Sequence, residues 1–290
     1  MAARSATFLL QMSSGGCVTT ASQGGMTVPY RISFTLAAVM AAQSGLGLLT
    51  PDQYRDSASV LATWFGNDSV TLALGLPLLA IGLLLDRRDI VPGRLLWLGA
   101  LGYAMYNYAF YLFGAALNVF FPLYLSAFLL ALIGLILTLA RTDVDTLSAR
   151  FRSSTPVRWI GAYLVLVAAG MSIAWMSMWA AHLFAGRPTP IAPEEFKLVA
   201  ALDLTIMAPA LASGGILLWR RYPWGYLIAT AAGLQGSLYL LVLTVNSVVF
   251  ISRGTVAAPG ELPVWGALAL TTAVATALLL MNVRGRWRHE

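Results

Sequence analysis

Charge is what this sequence has least of. Only 10% of its 290 residues are Asp, Glu, Lys or Arg, while 59% are hydrophobic, and the mean hydropathy is +0.76. A soluble domain carries roughly a quarter charged residues, so this composition belongs to chains solvated by a bilayer. Cysteine is nearly absent: Cys17 stands alone, which excludes an internal disulfide framework and any Cys-ligated zinc or iron–sulfur site. The two histidines, His182 and His289, cannot assemble a multi-His metal centre or a bis-His haem within one chain. No cofactor is implied and no metal site is expected. Missing too are His-Glu-x-x-His, Gly-x-Ser-x-Gly and a Walker A loop. No second Asp is expected in the deep core to pair with Asp203, and the seventh span has no mid-bilayer lysine to carry a retinal Schiff base.

What the chain has instead is length without polarity. Eight apolar stretches fall at roughly 30–49, 68–85, 94–114, 119–140, 158–184, 198–219, 224–249 and 263–283. Each runs about 18 residues or more, enough for a helix to cross ~30 Å of hydrocarbon. Unbroken runs such as Leu72–Leu85 and Leu123–Ala140 lack the alternation of barrel strands, and in lipid only helices and closed barrels satisfy the backbone. The expected fold is all-α: an eight-helix transmembrane bundle whose principal partner is the lipid bilayer.

The net charge of +6 is topological. Arg87, Arg88, Arg94, Arg141, Arg150, Arg152, Arg158, Arg220, Arg221, Arg284, Arg286 and Arg288 lie in one set of connections, against Arg55, Arg187, Lys197 and Arg253 in the other. Positive residues mark cytoplasmic loops, so both termini are expected in the cytoplasm, with the chain multi-pass in a bacterial-type plasma membrane. No basic patch is interleaved with aromatics, so no nucleic-acid partner is expected.

The expected organisation is a disordered tail at 1–29, a four-helix unit at 30–140, a cytoplasmic linker at 141–157, a second four-helix unit at 158–283 and a basic tail at 284–290. The two units read as a tandem repeat. Pro77, Gly82 and Arg87–Arg88 are echoed by Pro209, Gly215 and Arg220–Arg221, and Trp97, Tyr111, Asn118 by Trp224, Tyr239, Asn246. Four spans per unit is an even number, so the copies share one topology. Pro77 and Pro209 fall inside helices, where each removes a backbone hydrogen bond and kinks its helix.

Polar residues concentrate in the outer halves of the spans. Asp203 is the sharpest of them, because a carboxylate at membrane depth costs about 2.5–3.5 kcal/mol on insertion scales and normally faces the bundle interior. Lys197, six residues earlier, lies on a different helical face. Tyr103, Asn107 and Tyr111 recur at helical spacing on one face. Asp68 is expected at the very start of the second span. Met171, Trp175, Met178 and His182 form another face, a thioether and aromatic stripe that reads as packing. The expected ligand site therefore comprises Asp203, Asn107, Tyr111, Tyr239, Asn246 and His182, an outer polar cavity that binds or transports a small molecule or ion. The alternatives are a membrane-embedded enzyme on a lipid-linked or periplasmic substrate, with Asp203 as acid or base, and a non-catalytic membrane subunit.

Overall fold

The computed structural model describes residues 21–252 and 260–287. Expectations that rest on Cys17, on Arg253, on His289 or on the tail upstream of residue 21 lie outside the described residues. Among the described residues the chain is all-helical, with no strands: α1 (Ala21–Leu49), α2 (Ala58–Val70), α3 (Leu76–Asp86), α4 (Val91–Gly114), α5 (Phe121–Ala140), α6 (Val144–Ala149), α7 (Val157–Ala185), α8 (Pro193–Leu202), α9 (Ala208–Trp219), α10 (Pro223–Ser252) and α11 (Leu262–Asn282). A 3₁₀ turn, Pro51–Gln53, sits in the first connection. Helix α1 starts inside the segment expected to be a tail.

Among the described residues seven stretches are long and apolar enough to cross a membrane: Met26–Leu49, Val60–Asp86, Phe121–Ala140, Val157–Ala185, Pro193–Trp219, Pro223–Ser252 and Leu262–Asn282. This places the protein among helical membrane proteins. The remaining expected span, 94–114, lies within α4, which is 24 residues long but carries Arg94, Asn107 and four tyrosines. Those side chains lower its apolarity, and protein rather than lipid surrounds them. Helix α4 packs against α3, α5, α8 and α10, and Tyr103, Tyr106, Asn107, Tyr108 and Tyr111 are all buried.

Pro77 and Pro209 do not break their helices. Each follows a single wide π-helical turn, Thr71–Gly75 before Pro77 and Asp203–Met207 before Pro209. Proline lacks the N–H, and its ring clashes with the carbonyl four residues back, so the backbone widens by one residue there. Thus α2 and α3 form one crossing rod, as do α8 and α9. Each rod then turns tightly into its neighbour through a residue with positive φ, Asp89 (59°) and Arg221 (59°). A glycine follows each turn, Gly93 and Gly225. A Cβ at either would collide with the backbone of the preceding rod, at Asp86 N and Leu218 N respectively.

Two of the arginine-bearing connections, after α3 and after α6, are held together by the end of α11 and the segment that follows it. Gly285 O accepts from Val91 N at 3.3 Å, Asn282 O from Arg152 N at 2.9 Å, Arg150 O from Arg284 N at 3.1 Å and Asp89 O from Trp287 N at 2.8 Å. Residues 284–287, expected as part of a basic tail, are therefore docked. Beneath them the Arg94 guanidinium lies over Trp287, 5.3 Å from its ring centroid.

Candidate functional site

Three aspartates are buried to within 3% exposure: Asp68, Asp86 and Asp203. Their surroundings differ in kind. Asp86, at the arginine-rich end, is paired. Arg94 Nε reaches its Oδ1 at 2.8 Å, a second guanidinium nitrogen reaches Oδ2 at 3.1 Å, and Tyr30 Oη donates to Oδ2 at 2.7 Å. Two parallel charge-assisted N–H···O bonds of this sort are about twice as strong as neutral ones and fix the geometry of the pair as well as its charge.

Asp203 opens the π-helical turn between α8 and α9. Because α8 begins at Pro193, this carboxylate lies ~15 Å along the rod at 1.5 Å per residue, deeper than the apolar run alone suggested. Tyr106 Oη, from α4, donates to Oδ1 at 2.5 Å, and Trp175 Nε1, from α7, donates to Oδ2 at 2.8 Å. The Tyr239 ring meets the Tyr106 ring edge-on at 4.9 Å, and Phe196 meets Trp175 edge-on at 5.1 Å. Lys197 turns away to the surface and pairs with Glu194 at 3.3 Å.

Asp68 is the correction to the sequence reading. The helix that carries it begins at Ala58, so it lies within the bundle rather than at a span end, and it is fully buried. The core thus holds a second carboxylate after all. Tyr111 Oη donates to its Oδ1 at 2.8 Å and Gln43 Nε2 at 3.2 Å, while Tyr54 Oη donates to Oδ2 at 2.6 Å. Gln43 is itself fixed, its Oε1 accepting from Tyr108 Oη at 3.0 Å. Tyr54 descends from the 3₁₀ connection, outside the crossing segments. Burial, and then the negative charge of Asp68, push its phenol far above the usual range, so it remains a donor. A Cβ at Gly47 would strike both Asp68 and Tyr54, which is why the helix passes so close there.

Helix α4 joins these two nests. Its Tyr111 serves Asp68 and its Tyr106 serves Asp203. From the same helix Tyr103 Oη shares a hydrogen bond with Thr71 Oγ1 at 2.9 Å, and Asn107 Nδ2 donates to Thr71 Oγ1 at 3.3 Å. Thr71 opens the other π-helical turn.

The residues expected to form one site are therefore divided. Asp203 and Tyr239 share a nest. Tyr111 belongs to Asp68, and Asn107 to Thr71. Asn246 is buried on α10 against Gly66 of α2, with its Oδ1 unpartnered. His182 stands at the exposed end of α7, its Nδ1 at 2.8 Å from Arg187 O. The residues the sequence did not single out for the site are Asp68, Gln43 and Tyr54 of one nest, and Tyr106 and Trp175 of the other. Among the described residues no group of three or more His, Cys, Asp or Glu side chains is placed to hold a metal ion.

Neither Asp68 nor Asp203 has a lysine, arginine or histidine within salt-bridge distance among the described residues. Phenol, indole and amide donors stabilise a carboxylate locally but cancel none of its net charge. Comparison with family models, with curated proteins and with solved structures returns no match, so chemistry must carry the functional argument.

Proposed function

We propose that this protein is an eight-span carrier that binds a small solute or ion and moves it across the plasma membrane, with Asp203 and Asp68 as the sites where a proton or small cation supplies the missing counter-charge. One observation carries the reading. Two carboxylates are buried at membrane depth with only neutral donors, while a third, Asp86, has its own arginine. An uncompensated charge in hydrocarbon is expensive, and an intramembrane carboxylate without a built-in partner marks a proton or ion pathway.

In this reading α4 is the eighth crossing, its tyrosines shielded by α3, α5, α8 and α10. The arginine-rich end is cytoplasmic by the positive-inside rule, so both carboxylates occupy the outer half. The two halves are tandem copies about a pseudo-two-fold along the membrane normal. Support comes from features that recur at one constant offset: the π-helical turns at Thr71–Gly75 and Asp203–Met207, Pro77 and Pro209, Gly82 and Gly214 (rather than Gly215, which faces Gly161), the positive-φ residues Asp89 and Arg221, and Gly93 and Gly225. Cross-packing is also reciprocal, with α2 against α10 and α8 against α4. The π-helical turns next to each carboxylate face supply the points at which each rod can bend.

The test is flux. Protein reconstituted into liposomes loaded with a pH-sensitive dye is exposed to an imposed sodium, potassium or pH gradient. Proton or cation movement above that of empty liposomes is expected, lost in Asp203→Asn and reduced in Asp68→Asn, with both variants still inserted and monodisperse. No flux under any gradient, or full flux in Asp203→Asn, sinks the proposal.

A further inference from the structure

The outer surface of α7 and α9 carries a feature that the carboxylate sites do not use. The two helices touch backbone to backbone at Gly161 and Gly215, where an added Cβ would meet the opposite carbonyl oxygen at 2.6–2.7 Å. Beside this contact, small side chains leave a trough of about 490 Å³ lined by Ala162, Val165, Ala169 and Ile216, with Trp219 and Arg220 at its arginine-rich end. In the other half α1 lies against α5. Here α7 meets α11 through the Tyr163 hydroxyl, which bonds Thr271 and Thr272, so the α7 flank stays open: Leu166 is 71% exposed.

The trough's polarity runs along its length. Its floor is apolar. At its mouth stands Arg220, with Arg221 next to it in the chain and Arg158 one turn before Ala162 on α7, all three exposed. No acidic side chain among the described residues pairs with any of them. Trp159, Trp219 and Tyr222 are exposed at the same level, the ring of amphipathic aromatics that marks the headgroup zone. A ligand that fits must be apolar over most of its length and anionic at one end.

We infer that the α7–α9 trough is a binding site for an anionic phospholipid, one acyl chain lying along Ala162, Val165 and Ala169 and the phosphate held by Arg220 with Arg158 and Arg221 nearby. Guanidinium matches phosphate by paired N–H donors. The apolar trough alone would accept any lipid; the arginines select the anionic ones.

The test uses detergent-purified protein stripped of lipid, titrated with dioleoyl phosphatidylglycerol or dioleoyl phosphatidylcholine and read by native mass spectrometry. Wild type should retain phosphatidylglycerol in preference to phosphatidylcholine. Arg220→Gln should cut that preference about fivefold, the weight of one basic residue at an anionic surface, while binding phosphatidylcholine as before. Ala169→Leu, which fills the trough, should weaken both lipids. Arg88→Gln, an exposed arginine away from the trough, should change neither. Equal binding of the two lipids by wild type, an undiminished preference in Arg220→Gln, or displacement of phosphatidylglycerol by inorganic phosphate alone would each overturn the assignment. Loss of fold in Ala169→Leu leaves the Arg220→Gln comparison decisive.

Discussion

Asp86 and Asp203 are both buried carboxylates on crossing rods, and they are held in opposite ways. Asp86 ends its rod where a bidentate arginine and a tyrosine neutralise it. Asp203 lies mid-rod, bonded by one phenol and one indole and by no cation. A neutralised pair clips helices together, whereas a carboxylate left charged among neutral donors depends on its occupant. The first arrangement suits the end where the loops dock, and the second is the one on which the proposed carrier function rests.

Removing the cation from the neutralised pair is the sharpest way to break this comparison. Arg94→Ala strands the Asp86 charge beneath the docked 284–287 segment and should cost about 3–5 kcal/mol, read as unfolding in mixed micelles. Next comes Trp175→Phe, which leaves Asp203 Oδ2 without its donor. A hydrogen bond to a charged group contributes roughly 1.5–3 kcal/mol, so a smaller loss in the same assay is expected. Asp203→Asn should change stability by less than about 1 kcal/mol, because the amide accepts from Trp175, donates to Tyr106 and removes an uncompensated charge. If Asp203→Asn destabilised as much as Arg94→Ala, the contrast between the two carboxylates would collapse. Lys197→Ala, at an exposed pair with Glu194, should leave unfolding unchanged.

A local effect is expected outside the membrane. Asp143 caps α6, and bonds from the Thr146 hydroxyl and backbone N–H hold its carboxyl below the usual range. A depressed folded-state pKa contributes stability above the unfolded value and loses it as pH falls through the folded one. The protection of the Thr146 amide against hydrogen exchange, relative to its intrinsic rate at each pH, should therefore stay high near neutrality and fall only on acidification below the ordinary carboxylate range. Protection that persists in acid would show that the cap bond is not what holds this turn.

The all-helical membrane architecture was legible because apolar run length alone decides it. Helix α4 was legible as a polar-faced helix, since Tyr103, Asn107 and Tyr111 repeat at helical spacing, but periodicity names a face and not its neighbour. Hence Tyr111 was grouped with Asp203, whereas it bonds Asp68. Asp68 was set at a helix end because Trp64, Gly66, Asn67 and Asp68 interrupt the apolar run, yet the helix starts at Ala58. Trp175 looked like packing because an indole on an apolar face shows its N–H partner only once α7 and α8 are set together. The prolines announced irregularity, but a π-helical turn and a kink read alike in sequence.

The way α4 is shared also has a consequence for how the molecule is made. Every donor to Asp68 lies within the first 111 residues, its bond to Tyr111 closing a loop of 43 positions. The bond from Tyr106 to Asp203 closes one of 97, and Trp175 must also be in place. Loop closure costs more as the loop lengthens, and chains emerge from the ribosome N-terminus first. The Asp68 nest can therefore assemble during synthesis, on a half-made chain, while Tyr106 waits without its carboxylate until α8 arrives. Proteins arrested after residue 140 should already protect Tyr54 and Tyr111 from phenol-modifying reagents while leaving Tyr106 open to them.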